Sequence, residues 1–241
     1  MVDIHSHILF DIDDGAKDIN ESLTLCRDAF ENGFKAVVAT PHFSRYKNID
    51  SFVRERDDKI VEIRDRLAME GITLPVAAGV ELYLNDRIFA ADNLDALTIN
   101  GSRYMLCELP LGPFDVSRAP MWLDELIARD YIPILAHPER YLEFYRHMPI
   151  IDELLDRGVI FQVNIDSLLG TNGDIAQMMA IDMVERKIAR FIGTDAHDPL
   201  YRHNRLREKI AAMPAEITDE MIVECMSTCP RAVLNDEDLP E

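Results

Sequence analysis

The stretch Asp3–Gly15, DIHSHILFDIDDG, combines two histidines and several aspartates with apolar residues, a composition that suits metal binding. If the first part of this stretch is a strand, His5 and His7 project from the same face and their ring nitrogens can reach one ion. Asp13 and Asp14 follow in a turn. Two histidines at this spacing are more often only a polar face, so the metal-site hypothesis depends on further ligands elsewhere in the chain.

Further histidines and carboxylates follow short apolar runs, each typical of a parallel strand that is buried on both faces. The runs are KAVVAT (35–40), LPVAAGV (74–80), YMLCEL (104–109), IPILA (132–136), VIFQV (159–163) and RFIG (190–193). Segments with apolar residues at helical spacing separate them, such as the segment between a capping Asp18 and Gly33 and the segment 51–70.

Together with the opening strand, these runs give seven strand–helix alternations. The pattern predicts one α/β domain over residues 1–241, folded as an incomplete or distorted TIM-like barrel of the (β/α)7 type. In such barrels the active site lies at the C-terminal ends of the strands. The residues at or just beyond predicted strand ends include five of the seven histidines and are His5, His7, His42, Glu81, Glu108, His137, Asp195 and His197. His147 and His203 lack this placement, and we assign them no ligand role.

The composition limits the classes of partner. The 241 residues are 48% apolar and 29% charged, and the net charge of −19 argues against nucleic acid or an anionic membrane as a partner. No apolar run approaches the roughly 18 residues that a membrane span needs, and no leader-like segment precedes the first strand, so we expect a cytoplasmic protein without membrane insertion. The four cysteines are expected to be reduced core residues.

The mixture of imidazoles and carboxylates suits divalent manganese, iron or zinc. The candidate ligands are too many for one ion, and they fit two or three neighbouring ions with bridging carboxylates. Such a centre would also give an acidic protein the local positive charge that an anionic substrate requires.

Taken in order, DIHSHIL with IDDGA, ATPHF, GVEL, ELP (108–110), AHPER and GTDAH resemble the PHP (polymerase and histidinol phosphatase) superfamily. They are most similar to its bacterial manganese-dependent protein tyrosine phosphatases of capsule and exopolysaccharide operons. The resemblance covers nearly the whole chain. It implies a PHP-type distorted β/α barrel around a trinuclear site, with manganese as the favoured metal.

The resemblance also implies a role for each candidate ligand. His5, His7, Glu81 and Asp195 would hold one ion; Glu81 would bridge to a second held by Glu108 and His137; and Asp14, His42 and His197 would hold the third. Asp13 could serve in place of Asp14, because an aspartate in a glycine turn is often only a turn former. Phe10 and Asp11 stand where the family usually has Pro-Gly, which leaves the shape of the opening loop open.

Arg140 and Arg202 fall where the family keeps phosphate-contacting arginines. A guanidinium can bind phosphate oxygens in bidentate fashion, which a lysine cannot do. The implied reaction is hydrolysis of phosphotyrosine by in-line attack of a metal-bound hydroxide, without a phosphoenzyme. The implied substrate is a phosphotyrosine protein, the tail of a bacterial tyrosine kinase, and self-association is a further expectation.

Two alternatives remain at the level of the sequence, and a third is rejected. The same scaffold could hydrolyse histidinol phosphate or another small phosphomonoester, since the rim loops 43–48 and 111–118 that would decide this carry no readable signal. A metal-bound regulatory scaffold without catalysis is the alternative outside enzymes. Finally, Cys225–Arg231 matches the C-x5-R pattern of cysteine-dependent phosphatases, but it lacks glycines and continues a helical pattern from Asp219, so we reject it.

Overall fold

Nine parallel strand segments form the framework of the computed structural model, which describes residues 1–44 and 48–240. They are β1 (Val2–Ser6), β2 (Ala36–Ala39), β3 (His42–Phe43), β4 (Val76–Ala78), β5 (Glu81–Tyr83), β6 (Tyr104–Glu108), β7 (Ile132–Ala136), β8 (Ile160–Asn164) and β9 (Ala189–Gly193). One sheet has the order β1-β2-β4 and the other the order β3-β5-β6-β7-β8-β9.

The nine segments correspond to the seven predicted strands, because two strands are each divided into two segments. Pro41 separates β2 from β3, and it has no N–H to donate to a neighbouring strand. Gly79 separates β4 from β5. Backbone hydrogen bonds bridge the breaks, from Gly79 N to Ala39 O at 2.9 Å and from Glu81 N to Pro41 O at 3.2 Å.

The first and last strands come together through backbone hydrogen bonds. Asp195 N donates to His5 O at 2.9 Å, and His7 N donates to Ala196 O at 2.8 Å. The expected distorted barrel is therefore confirmed. Its distortion consists of the two divided strands and of a 3-10 turn, Ile99–Gly101, that packs beside β4 and β6.

Helices connect the strands on the outside. They are α1 (Ile19–Asn32), α2 (Ile49–Met69), α3 (Arg118–Ile127), α4 (Leu142–Arg146), α5 (Pro149–Asp156), α6 (Ile165–Leu168), α7 (Asp174–Glu185), α8 (Leu206–Ala211), α9 (Asp219–Val223) and α10 (Cys229–Leu234). As the sequence predicts for α1, the Asp18 carboxylate caps its first turn and Gly33 ends it with a φ of 98°. Within the described residues, no helix combines the length and the apolar character that a membrane span requires.

The buried residues separate an apolar half of the barrel from a polar one. A small apolar cluster that includes Val2 and Ile4 fills one end. In β1 the register against β2 gains one residue between Asp3 and Ser6, which is a bulge. Val2 and Ile4 belong to the apolar cluster, whereas His5, the residue after Ile4, contacts Glu81 at the polar end.

Candidate metal centre

The nine side chains that the sequence proposes as ligands converge at the C-terminal end of the barrel. They form overlapping groups, and within each group the candidate ligand atoms lie within 4.8 Å of one another. The groups are His5, His7 and Glu81; His5, His137 and Asp195; His42, Glu81 and Glu108; and His7, Asp14, His42 and His197. The structure therefore brings the whole set together.

Strand ends and sharp turns position these side chains. His5 lies in β1, and His7 lies just beyond its end. His137 follows β7 and Asp195 follows β9, and both adopt left-handed backbone conformations, with φ of 38° and 50°. Such values are uncommon for residues other than glycine and are concentrated at functional sites. Here they turn the chain at the strand end, where both side chains face the cluster.

Glu81 lies at the middle of the cluster and faces four imidazoles. Its Oε2 lies 3.2 Å from His5 Nε2, 3.1 Å from His7 Nε2 and 3.1 Å from His42 Nδ1, while its Oε1 lies 2.9 Å from His137 Nε2. Burial by itself would raise the pKa of the Glu81 carboxyl, but the attraction of His5 and hydrogen bonds from the surrounding imidazoles lower it well below its usual value. Glu81 is therefore held as a carboxylate, and its buried Oε2 has no hydrogen-bond partner among the described residues, which suits a bridging ligand.

A chain of directed hydrogen bonds fixes the tautomer of His5. The Asn164 side-chain amide donates to Asp195 Oδ2 at 2.7 Å, and Gln162 Nε2 donates to Asn164 Oδ1 at 2.9 Å. Gln162 Oε1 is consequently the acceptor that faces His5 Nδ1 at 2.7 Å. The proton of His5 thus resides on Nδ1, and Nε2 directs a lone pair at the centre.

Two further histidines are oriented in the same way. His7 Nδ1 donates to Asp13 Oδ2 at 2.8 Å, and His197 Nδ1 donates to the backbone carbonyl of Asp195 at 2.9 Å. Partners of this kind are typical behind metal-binding histidines. As a result, His5 Nε2 and His7 Nε2 face each other at 3.2 Å as two acceptors. Such a pair requires a proton or a cation between the nitrogens, so this donor set fits divalent metal ions.

Four further members of the set have shifted pKa values that fit a bound cation. Burial, followed by the nearby Glu81 carboxylate, raises the pKa of Glu108 to about 8. Burial is also the main reason that the pKa values of His42, His137 and His197 are lowered. Neutral imidazoles and a crowded pair of carboxyl groups are both stabilised by a bound cation.

The geometry separates the roles of Asp13 and Asp14. Asp13 lies behind His7 and also accepts hydrogen bonds from the backbone N–H groups of His42 and Gly15, each at 2.9 Å. Asp14 instead faces the cluster, with its Oδ1 3.5 Å from His42 Nε2 and 3.6 Å from His197 Nε2. Of the two aspartates that the sequence left open, Asp14 is the one placed among the candidate ligand atoms.

The opening loop has Phe10 and Asp11 where the family usually has Pro-Gly, yet Asp11 adopts a backbone conformation that glycine favours. Asp11 adopts a φ of 48°, in the left-handed region that aspartate tolerates better than most residues. Its N–H donates to Ala16 O at 2.9 Å. Lys59 covers the ring of Phe10, with Nζ 4.3 Å from the ring centroid. The hydrogen bond between Asp11 and Ala16 thus closes the loop that carries Asp13 and Asp14.

Both predicted arginines lie at the cluster. Arg140 and Arg202 approach the same carboxylate oxygen, Asp195 Oδ2, at 3.1 Å and 2.7 Å. Their side chains remain partly exposed, at 25% and 39%, so both can meet a ligand from solution. Gln162 and Asn164, which contact the candidate ligands His5 and Asp195, were not identified from the sequence. Two amide side chains in an apolar strand run form no recognisable motif.

The C-terminal cysteine segment has the wrong environment for a catalytic thiolate. Residues Glu224–Thr228 form a π-helical turn that leads directly into α10, so no phosphate loop is present in this segment. Cys225 is buried, and burial raises the pKa of its thiol to about 12. The rejection of the C-x5-R reading is confirmed. All four cysteines are free and buried, as expected.

The fold and the site together define a TIM-like barrel that carries a histidine–carboxylate centre at the C-terminal ends of its strands. The fold is shared with distant solved structures such as dihydropyrimidinase from Brevibacillus agri NCHU1002, with a TM-score of 0.53 and 12% identity over 98% of this chain and 70% of that chain. The family model described as capsular polysaccharide synthesis, CpsB/CapC, matches residues 1–235, and the chain belongs to this family.

Individual relatives agree with this membership. The putative tyrosine-protein phosphatase CapC of Staphylococcus aureus is 33% identical over 209 residues, covering 86% of this chain and 81% of CapC. The tyrosine-protein phosphatase YwqE of Bacillus subtilis (strain 168) is 32% identical over 232 residues, covering 92% and 87%. A crystal structure from work on YwqE and on CpsB of Streptococcus pneumoniae, described as unique metal-dependent tyrosine phosphatases, superposes with a TM-score of 0.87 at 27% identity over 100% of this chain and 96% of that chain.

Proposed function

We propose that this chain is a metal-dependent protein-tyrosine phosphatase. The observation that carries the proposal is the convergence of nine histidine and carboxylate ligands with two arginines at one end of the barrel. Membership in the CpsB/CapC family and the names of the relatives support the choice of phosphotyrosine over other phosphomonoesters.

We assign the ligands as the family resemblance implies, and the mutual proximity of these side chains supports the assignment. His5, His7, Glu81 and Asp195 would hold one ion, Glu81 would also reach an ion held by Glu108 and His137, and Asp14, His42 and His197 would hold a third. Manganese is the favoured metal, and iron and zinc are compatible with the same donors. When bound, these ions supply Lewis-acid activation of water and neutralise negative charge in the transition state.

Arg140 and Arg202 bind the phosphate group and stabilise charge on its outer oxygens. Both guanidinium groups share Asp195 Oδ2 with the Asn164 amide. When the arginines turn to a substrate, Asn164 keeps that carboxylate oxygen paired, so Asp195 is not left with an unsatisfied buried charge. The four carboxylates of the set offset only about four of the six charges of three divalent ions, so the centre stays locally cationic in an acidic protein.

The substrate that we propose is a phosphotyrosine tail of a bacterial tyrosine kinase. The connection of the family to capsular polysaccharide synthesis supports this choice. Because such kinases use ATP, the proposal places the chain in the cytoplasm. The tyrosinate leaving group has a parent pKa of about 10, so its departure needs only modest assistance.

The test compares metal-stripped protein with protein given back manganese, iron or zinc. Hydrolysis of p-nitrophenyl phosphate and of a phosphotyrosyl peptide should require metal, and His42→Ala should abolish both activities while cooperative unfolding is retained. His147→Ala, an exposed histidine outside the cluster, is the matched control and should behave as wild type. Activity without metal, or a strong preference for histidinol phosphate over the peptide, would contradict the proposal.

A further inference from the structure

A cavity of about 570 Å³ opens directly beside the candidate metal centre. Its polar wall contains Asp14, His42 and Glu108, which belong to the centre itself. The volume lies within the range of about 300–1,000 Å³ that is common for small-molecule sites. Whatever is attached to a phosphate at the centre can therefore extend into this space.

The other part of the cavity wall is apolar. It is formed by Ile12, Phe43, Tyr83 and Leu111. Phe43 is fully buried and packs against Phe52 with the ring centroids 4.8 Å apart. This part of the wall is consequently fixed in place before any ligand binds.

We propose that this cavity is the subsite for the aromatic ring of the substrate, with Leu111 and Tyr83 as the residues that select an aryl over an alkyl phosphate. The inference rests on the proposed phosphatase function and adds the part of the site that recognises the group carrying the phosphate.

The charges around the cavity support a neutral ring as its occupant. Asp13, Asp14 and Glu108 line it together with the apolar residues, and its described lining contains no lysine or arginine that would bind a second anionic group. Asp13 is occupied by His7 and by backbone N–H groups, while Asp14 and Glu108 face the imidazoles of the centre. The surface that remains for contact with a ligand is therefore mainly the apolar wall.

Leu111 is the adaptable part of that wall. It lies three residues beyond Glu108, and 45% of its surface is exposed. An aromatic ring placed against it would remove apolar surface of both partners from water, and Tyr83 offers a second aromatic face. The side chain of phosphoserine lacks a ring and is too short to reach this wall, so the apolar residues would stay exposed to water.

The experiment compares aryl and alkyl substrates in the manganese-loaded protein. We expect Leu111→Ala to lower kcat/KM for p-nitrophenyl phosphate and phosphotyrosine roughly five- to tenfold more than kcat/KM for glycerol phosphate. Leu111→Met, which keeps the apolar bulk, should largely restore the wild-type ratio, and Tyr83→Ala should shift the ratio in the same direction as Leu111→Ala. Val223→Ala, an exposed aliphatic residue of α9 that does not line the cavity, is the matched control.

Inhibition provides a second readout that does not depend on turnover of different substrates. Leu111→Ala should raise the inhibition constant of phenylphosphonate by a similar roughly five- to tenfold factor and leave that of inorganic phosphate nearly unchanged. If Leu111→Ala and Tyr83→Ala weaken aryl and alkyl ligands equally, the ring subsite is wrong while the phosphatase proposal stands. If the wild-type protein hydrolyses no phosphomonoester with any of the metals, the proposed function fails and the inference fails with it.

Discussion

Replacement of Gln162 by leucine would break the hydrogen-bond chain that sets the tautomer of His5. Gln162 lies in β8, is fully buried, and joins His5 Nδ1 at 2.7 Å to Asn164 Oδ1 at 2.9 Å. Leucine has a similar size but neither donates nor accepts a hydrogen bond. The substitution therefore removes the polarity of the link with little change in packing.

The expected magnitude follows from the two groups that lose a partner. A buried donor on His5 and a buried acceptor on Asn164 would each be unsatisfied, at about 1–3 kcal/mol apiece. Since leucine adds apolar contacts, we expect a net loss of about 2–4 kcal/mol in the free energy of unfolding, or on the order of 10 °C in Tm for a chain of this size. Loss of the partner behind a metal-binding histidine typically weakens metal binding about 10–100-fold.

The assay is a manganese titration of the metal-stripped protein, followed by calorimetry or by the electron paramagnetic resonance signal of free Mn²⁺. Gln162→Glu is the informative companion, because its carboxylate still accepts the His5 proton and should retain most of the affinity. Gln177→Leu is the matched control: Gln177 donates a hydrogen bond of 3.0 Å to Leu168 O and does not contact the centre. A Gln162→Leu protein that unfolds cooperatively and binds manganese as tightly as wild type would refute the role given to this chain of amides.

Three further predictions address other parts of the molecule. Gly15→Ala should weaken manganese binding tenfold or more, because a Cβ there would lie 2.2 Å from His7 O and 2.7 Å from His7 Cβ. Gly112→Ala is the control and should bind manganese as wild type does, because no atom lies within 4 Å of the added Cβ. Equal manganese titrations of the two variants would contradict this prediction. Iodoacetamide at pH 8 should leave phosphatase activity intact, since the pKa of the Cys225 thiol is raised to about 12 by burial; loss of activity in step with alkylation of Cys225 would reopen the cysteine mechanism. Manganese at about 100 times its Kd should stabilise the protein by about 2.7 kcal/mol per site, which a thermal melt would detect, and an unchanged Tm would argue against metal binding by the folded centre.

The local sequence determined the candidate ligands because each lies in a short motif at a strand end. Apolar runs such as IPILA mark buried strands, and the parallel barrel that follows from their alternation brings all their C-terminal ends to one edge. Histidines and carboxylates at those ends must then be neighbours, whatever the detailed path of the chain. His5, His137 and Asp195 could therefore be assigned to one site before the structure was known.

Other features depend on contacts between residues far apart in the chain. The amide link from His5 to Asp195 spans β1, β8 and the turn after β9, and glutamine in an apolar run gives no sign of such a role. The choice of Asp14 over Asp13 likewise required the positions of His42 and His197. The rim loop beginning at Leu111 became interpretable only when Leu111 and Phe43 were seen to line the same cavity, while residues 45–47 of the other rim loop lie outside the described residues.

The sequence by itself thus predicted the type of barrel, the edge that carries the candidate site and the side chains that could serve as ligands. These properties follow from periodicity along the chain and from the chemistry of side chains, which are local. Only the tertiary structure decided the bulge that redirects His5, the tautomers of the histidines and the apolar wall that faces the centre. The physical reason is that each of these depends on hydrogen-bond direction and packing between strands that no single segment of sequence contains.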